Sequence, residues 1–242
     1  IWEFVADYTG QTIVQERAYD EKMNIIFTFS RVPIGNNQYN CSYKDCFGLP
    51  AEMRTDEDYT YGTLVRITED KWGNDSVIQY IDAKGLPKLN SDGAAMEVYI
   101  QDKYGHLLKQ QSRNADGELT IDNCGNCGIE YHWNKNHVID SVTYMNDKWR
   151  PMCMPALRGN NERERVITTN YRYDDFKRQT EEFFTDSLGK PDVNAIGTHR
   201  ITYEFDNKGN IVKQCGYDKN GNLSPIDNSG SCIYEIEYDN KK

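Results

Sequence analysis

Gly197-THRITYEF-Asp206-NK-Gly209-NIVKQCGY-Asp218-KN-Gly221-NL, residues 197–223, is the stretch whose reading decides the fold. Ile201, Tyr203 and Phe205 share one parity, and Thr202 and Glu204 the other. Alternation with period two, in β-branched and aromatic residues, is the pattern of a half-buried strand. The strand ends at Asp206-Asn-Lys-Gly209. An Asp side chain bonds the backbone two residues on and starts a turn, and a Gly supplies the positive φ that closes it. A returning strand follows and meets the same punctuation at Asp218-Lys-Asn-Gly221.

The unit recurs. Gly93-AAMEVYIQ-Asp102-KY-Gly105 and Gly230-SCIYEIEY-Asp239 repeat the Gly-to-Asp spacing, and Gly125 to Asn134 keeps it with Asn for Asp. Gly62 to Asp70 is one residue short and Gly10 to Asp20 one long. A second motif, Asp-x-x-Gly-x-Pro, alternates with the first at Asp45–Pro50, Asp82–Pro87 and Asp186–Pro191. Asn146–Pro151 is a degenerate copy, and Asn114–Leu119 and Asp218–Leu223 keep the Gly and lose the Pro. The glycines and their equivalents stand at 48, 85, 117, 149, 189 and 221, so the basic step is 32 residues with insertions of five and eight. Fixed-period self-similarity of this kind is the mark of a repeat architecture.

The expected fold is all-β: tandem antiparallel hairpins forming one long twisted or curled sheet, a solenoid-like array. Strand pairs are expected near 64–69 and 75–80, 95–101 and 106–112, 128–133 and 137–144, 166–173 and 177–184, and 199–205 and 210–216. A looser pair is expected near 12–19 and 24–31, and a lone strand at 231–238. The organisation reads as a single repeat domain over 1–242, irregular over about 1–50 and regular over about 50–242. An insertion lies near 152–165. The lone last strand and the irregular first units read as a chain cut mid-repeat rather than a closed ring.

Composition agrees with this reading and excludes several others. Of 242 residues, 22 are Asn, 17 Tyr and 18 Gly, a balance of turns and strands. The hydrophobic share is 38 %, and exchanging Tyr for Gly leaves it there, against roughly 45–50 % in ordinary globular domains. That is too thin for a parallel sheet buried under helices on both faces. The net charge of −10 argues against nucleic acid as a partner, which calls for a basic stripe. No apolar stretch approaches the ~20 residues of a membrane-spanning helix. Seven cysteines make an odd set, so at least one thiol is unpaired within the chain.

Residues 201–223 resemble the YD-repeat, or RHS-type, unit of bacterial surface and secreted proteins. The resemblance rests on Tyr203, Phe205, Asp206, Gly209 and Asn210, then on Tyr217, Asp218, Gly221 and Asn222. Residues 18–26 and 170–175 are similar but lack the turn Gly. The hairpin repetition also resembles MORN-like repeats. The resemblance implies a tandem β-hairpin scaffold of the cell envelope or of a secreted, toxin-associated protein, and it brings no catalytic residues.

The sharpest chemical cluster is Cys124-x2-Cys127-x4-His132-x4-His137. Zinc fingers place their ligand pairs about a dozen residues apart, and Cys127 aligns with Cys232, which has no His partners. No metal and no other cofactor is expected, and a thiol- or zinc-dependent enzyme is the weakest of the functional readings. The Asp-rich turns put Gly fourth, whereas calcium loops put it sixth, so turn punctuation is the reading there.

Aromatic residues divide into two sets. Tyr99, Tyr131, Tyr171 and Tyr203 occupy one repeat position and are expected to stack along one face. Trp72 and Tyr104 stand just before Gly73 and Gly105, at turn tips, where rings are exposed. Phe176 reads as replacing the turn Gly itself. Trp72 and Tyr104 are the candidate binding residues for a protein or glycan partner, on a non-catalytic scaffold that offers an extended surface. The alternative is a structural shell or spacer segment of a larger protein.

Overall fold

A computed structural model describes residues 3–9, 12–51, 53–54, 60–61, 64–122, 125–153 and 167–238. Every regular element among them is a β-strand, as the alternation and turn signals require. The chain divides into two compact units, Ile1–Asn123 and Cys124–Lys242.

The first unit contains β1 (Glu3–Thr9), β2 (Thr12–Tyr19), β3 (Ile25–Gly35), β4 (Gln38–Asp45), β5 (Met53–Arg54), β6 (Thr60–Tyr61), β7 (Leu64–Glu69), β8 (Asp75–Tyr80), β9 (Met96–Gln101) and β10 (Leu107–Arg113). β5 and β6 pair only with each other. The other eight form an antiparallel meander in which each strand pairs with the next, β4 with β7 included. The second unit contains β11 (Gly128–Trp133), β12 (Ile139–Met145), β13 (Thr168–Tyr173), β14 (Gln179–Thr185), β15 (Arg200–Phe205), β16 (Ile211–Tyr217) and β17 (Ile233–Glu235), paired in the same way.

Tandem hairpins are thus the architecture, and the strand bounds of the repeats fall within two residues of those expected. Two places differ. The N-terminal region is a continuous four-strand meander, not one looser pair. β3 runs for 11 residues and turns into β4 through Asn36 and Asn37, both at positive φ (52° and 56°). Two successive left-handed residues make the two-residue turn whose twist matches a hairpin, and Asn tolerates that conformation. The last strand is three residues rather than eight and meets only Lys213, Gln214 and Cys215. Gly10, Gly62, Asp239 and nearly all of the 152–165 insertion lie outside the described residues.

The hairpin turn is one structure used throughout. In the Asp206 turn the Gly209 amide donates to the Asp206 carbonyl, and the Asp206 amide donates to the Asn210 carbonyl. Gly209 sits at φ 88°, and the register slips by one residue just beyond it. This is a tight turn closed by a left-handed residue that forms a bulge, the usual three-residue hairpin loop. The turns expected at Gly73, Gly105 and Gly209, and at Gly85, Gly117, Gly189 and Gly221, all show the positive φ.

Turns without Gly keep the geometry. Met23, His137, Trp149 and Lys177 hold the closing position at φ 64°, 61°, 52° and 62°. Segments 18–26 and 170–175 therefore lack the glycine but not the turn. After each Asp-x-x-Gly-x-Pro turn the Pro, or its replacement, makes a single bridge back to the preceding strand, as in Ile81 with Pro87 and Tyr217 with Leu223. A residue with no amide proton suits the end of such a short return. A third turn then precedes the next strand, closed by Gly93, Gly197 or Gly230 at φ 83–85°.

The two units bury different layers. In the first, Cys41, Val65, Ile67 and Tyr80 form an apolar cluster with Phe29, Tyr39 and Ile78 packed against it. In the second, Phe184 and Ile201 share the interior with Thr143, Thr169, Glu181, Thr185, Thr198 and Ser224.

Candidate functional site

The turns position every exposed ring of interest, so their chemistry comes first. Asp70 accepts the Trp72 amide (2.8 Å) and the Asn74 amide (3.0 Å) on Oδ1, and the Asn74 side-chain amide (3.1 Å) on Oδ2. Asp102 repeats this with Tyr104 and His106, whose ring Nδ1 lies 2.8 Å from Asp102 Oδ2. Asp206 and Asp218 do the same with Asn210 and Asn222. Hydrogen bonds from the Asn side chain and then from its backbone amide hold the Asp206 and Asp218 carboxyls below the ordinary carboxylate range. Both carboxylate oxygens face inward onto the turn. The Asp therefore serves the backbone, in agreement with the turn reading of these residues.

Trp72 and Tyr104 lie on the β7–β8 and β9–β10 turns, which are neighbours because β8 pairs with β9. Tips two strands apart are separated by about 10 Å. The turns abut: a Cβ on Gly105 would lie 3.9 Å from Asn74 Oδ1. Trp72 is 46 % exposed and Tyr104 64 %. Each ring carries the preceding lysine on its face, with Lys71 Nζ 4.4 Å from the Trp72 centroid and Lys103 Nζ 4.8 Å from that of Tyr104. The Tyr104 and His106 rings are 5.8 Å apart.

Phe176 corrects the alignment. The capping residue of its turn is Asp174, and the position of the turn Gly, three residues on, is Lys177 rather than Phe176: the Phe176 and Arg178 amides donate to Asp174 Oδ1, and Lys177 takes the left-handed position. Phe176 is therefore the equivalent of Trp72 and Tyr104, two residues after the cap. It belongs to the second unit and is 79 % exposed, with Arg178 over its ring at 5.2 Å.

The Cys/His cluster is not gathered. Cys127 is buried just before β11, His132 is exposed near the far end of that strand, and His137 closes the turn beyond it. Five residues of extended chain between Cys127 and His132 span about 16 Å. Cys124 lies outside the described residues. Among the described residues no group of three or more His, Cys, Asp and Glu is placed to hold a metal ion. Cys41 is buried, and desolvation pushes its thiol up to about 12, with Arg31 opposing the shift. A thiol so displaced holds little thiolate at neutral pH.

Tyr131, Tyr171 and Tyr203 are half-buried rather than core, and burial raises all three hydroxyls, Tyr203 to about 12. What the sequence reading missed is the carboxylates among such tyrosines. Glu97 accepts from the Tyr80 hydroxyl at 2.8 Å, from the Asn90 side chain at 3.3 Å, and from the Tyr99 hydroxyl. Glu182 stands opposite Tyr171 and lies 3.5 Å from the Tyr203 hydroxyl; burial raises its carboxyl above the ordinary range. The signal was available: Glu97 has the parity of Tyr99, and Glu182 that of buried Phe184.

These features define an all-β protein of tandem antiparallel hairpins with aromatic turn tips. No family model matches the chain, and no curated protein does. Solved structures do match, among them the Photorhabdus luminescens Tc holotoxin pore. That similarity is 11 % identity at a TM-score of 0.28, over 86 % of this chain and 12 % of that one. Among the described residues no helix is long and apolar enough to cross a membrane.

Proposed function

We propose that this chain is a non-catalytic β-hairpin repeat scaffold that binds a protein or glycan partner through its turn-tip rings. The observation that carries the reading is the pair Trp72 and Tyr104, exposed on abutting turns of one sheet. Their carboxylate neighbours Asp70 and Asp102 are committed to the turns, and both rings are solvent-exposed. Membership of the YD-repeat group, and with it a secreted or cell-envelope location, is proposed on the residues of 201–223.

A screen of the full chain against immobilised glycans and peptides tests this, with a Trp72→Ala, Tyr104→Ala double variant alongside. The variant should lose the captured ligand and keep the β circular-dichroism spectrum. Unchanged capture by the double variant removes this site. The second reading is a shell or spacer within a larger protein. It is favoured by the reuse of one turn on successive hairpins, which serves to extend a sheet.

A further inference from the structure

We infer that the outer edge of β17 is a second docking surface, separate from the turn-tip rings, and that it takes an extended basic segment of a partner protein as an added antiparallel strand. Among the described residues β17 pairs with β16 alone. The Gly216 amide donates to the Cys232 carbonyl and the Ile236 amide to the Val212 carbonyl, so residues 232, 234 and 236 direct their backbone groups at β16. Backbone groups alternate sides along an antiparallel strand, so those of Ile233, Glu235 and Glu237 point outward. None of the three makes a backbone hydrogen bond on that side among the described residues. Such an edge is a template for strand addition.

The repeat indicates what such a strand must carry. Gly230 is the counterpart of Gly197, so β17 is the counterpart of β15, with Glu235 at the position of Thr202 and Glu237 at that of Glu204. On its far side β15 pairs with β16 along its whole length, and β9, β11 and β13 pair in the same way with their return strands. Glu204 there faces Lys213, and at the same repeat position of β13 Arg172 faces Glu181, at 2.7 Å. Opposite charge across the hairpin is therefore already used at the position that Glu237 occupies.

Charge selects the occupant. Glu235 and Glu237 share one parity of β17 and are exposed. Lys213 lies 3.9 Å from Glu235 and is also the register partner of Glu204. With the adjoining turn included, the carboxylates Glu204, Asp206, Glu235 and Glu237 stand against the two cations Lys208 and Lys213. Arg178 reaches the Asp206 carbonyl at 3.4 Å, but Asp174 meets its charge at 2.6 Å. The surplus is negative. A second copy meeting the same edge would crowd its own Glu235 and Glu237 onto these, and like charges across strands are destabilising. The chemistry that fits is a basic residue opposite Glu237, another two residues on opposite Glu235, and then an apolar one opposite Ile233, which is 41 % exposed.

The test uses the full chain and a fluorescently labelled peptide, Thr-Val-Lys-Thr-Lys-Thr-Val-Thr, read by anisotropy, beside a copy with Glu for both Lys. The lysine peptide should bind, weaken as salt is raised, and exceed the glutamate peptide by about tenfold. N-methylation of its two lysine amides, which face β17 in this pairing, should abolish binding. N-methylation of the two threonines that follow the lysines, whose amides face away, should leave it. Glu235→Lys with Glu237→Lys, its folding checked by circular dichroism, should reverse the preference between the peptides. Binding of neither peptide, equal binding of both, or binding indifferent to which amides are methylated overturns the inference. So does a dimer of the chain in sedimentation that Glu235→Pro converts to monomer, since a second copy would then hold the edge.

Discussion

The two units share a hairpin template and bury opposite chemistries. Among the described residues the first unit buries Ala18, Cys41, Val65, Ile67, Tyr80, Ile81, Ala94 and Ala95, with Gln111 and Ser112 as its buried polar residues. The second buries Cys127, Met145, Phe184, Ile201 and Cys215 beside seven polar residues: Asn126, Thr143, Thr169, Glu181, Thr185, Thr198 and Ser224. Buried polar groups must be bonded or they cost stability. The second unit meets that demand side chain to side chain, as between Thr143 and Thr168 at 2.9 Å and Thr198 and Ser224 at 3.0 Å. The lesson is that turn chemistry and backbone pairing hold the template constant, while the buried face is free to change.

The largest expected effect is in the apolar layer. Tyr80 is 2 % exposed and bonds Glu97, so Tyr80→Ala should cost about 4 kcal/mol in urea unfolding. Tyr203 is half-buried, and Tyr203→Ala should cost less, about 3 kcal/mol. If Tyr203 proves the costlier position, the contrast between layers is broken.

Glu182 sharpens the comparison through pH. Burial raises its folded-state carboxyl, so the favourable protonated state is fully present at low pH and is lost as pH rises through the folded value. Glu182→Gln should therefore stabilise the chain at neutral pH, by about 1 kcal/mol on the scale of buried polar groups, and make no difference in acid. Asp206 and Asp218 carry the opposite sign. Their lowered carboxyls contribute above the ordinary carboxylate value and lose that contribution as pH falls through the folded one. Amide exchange at Lys208 and Asn210 should quicken on acidification in the wild-type chain. Exchange insensitive to pH in that range, after correction for intrinsic rates, would break the turn account.

Turns offer a smaller contrast. Gly73 and Gly105 close two hairpins of the first unit, whereas His137 and Lys177 close two of the second at strained φ. Lys177→Gly should relieve that strain and raise stability by about 1 kcal/mol or less, measured by thermal unfolding, because a side chain disfavours the left-handed region. The smallest effect belongs to the exposed Trp72–Tyr104 edge. Trp72→Ala with Tyr104→Ala should shift stability by only about 0.5 kcal/mol per site, as surface changes do.

The legible part of the fold was the part written in local chemistry. A period of 32 residues, alternating parity and Asp-x-x-Gly punctuation placed ten of the strands. β4 was missed because the Asn36–Asn37 turn uses neither Asp nor Gly at its centre. Phe176 was misaligned because no Gly marks the closing position of its turn, which the hydrogen bonds to Asp174 and the positive φ assign to Lys177. The candidate edge was legible in its rings but not in the lysines that lie over them, since only the folded turn brings Lys71 and Lys103 onto the rings.

By itself the sequence determined the hairpin, its turns and the exposure of Trp72 and Tyr104, because each depends on residues within a few positions of one another. Tertiary structure alone decided which strands neighbour which, and so that the Trp72 and Tyr104 turns abut and that Arg31 on β3 binds Glu69 and Asp75 on either side of a later turn. It also decided that Glu97 and Glu182 sit among tyrosines, Glu97 beside Tyr80 of another hairpin. Parity assigns a side chain to a face, but only the pairing of strands distant in sequence supplies what that face is buried against.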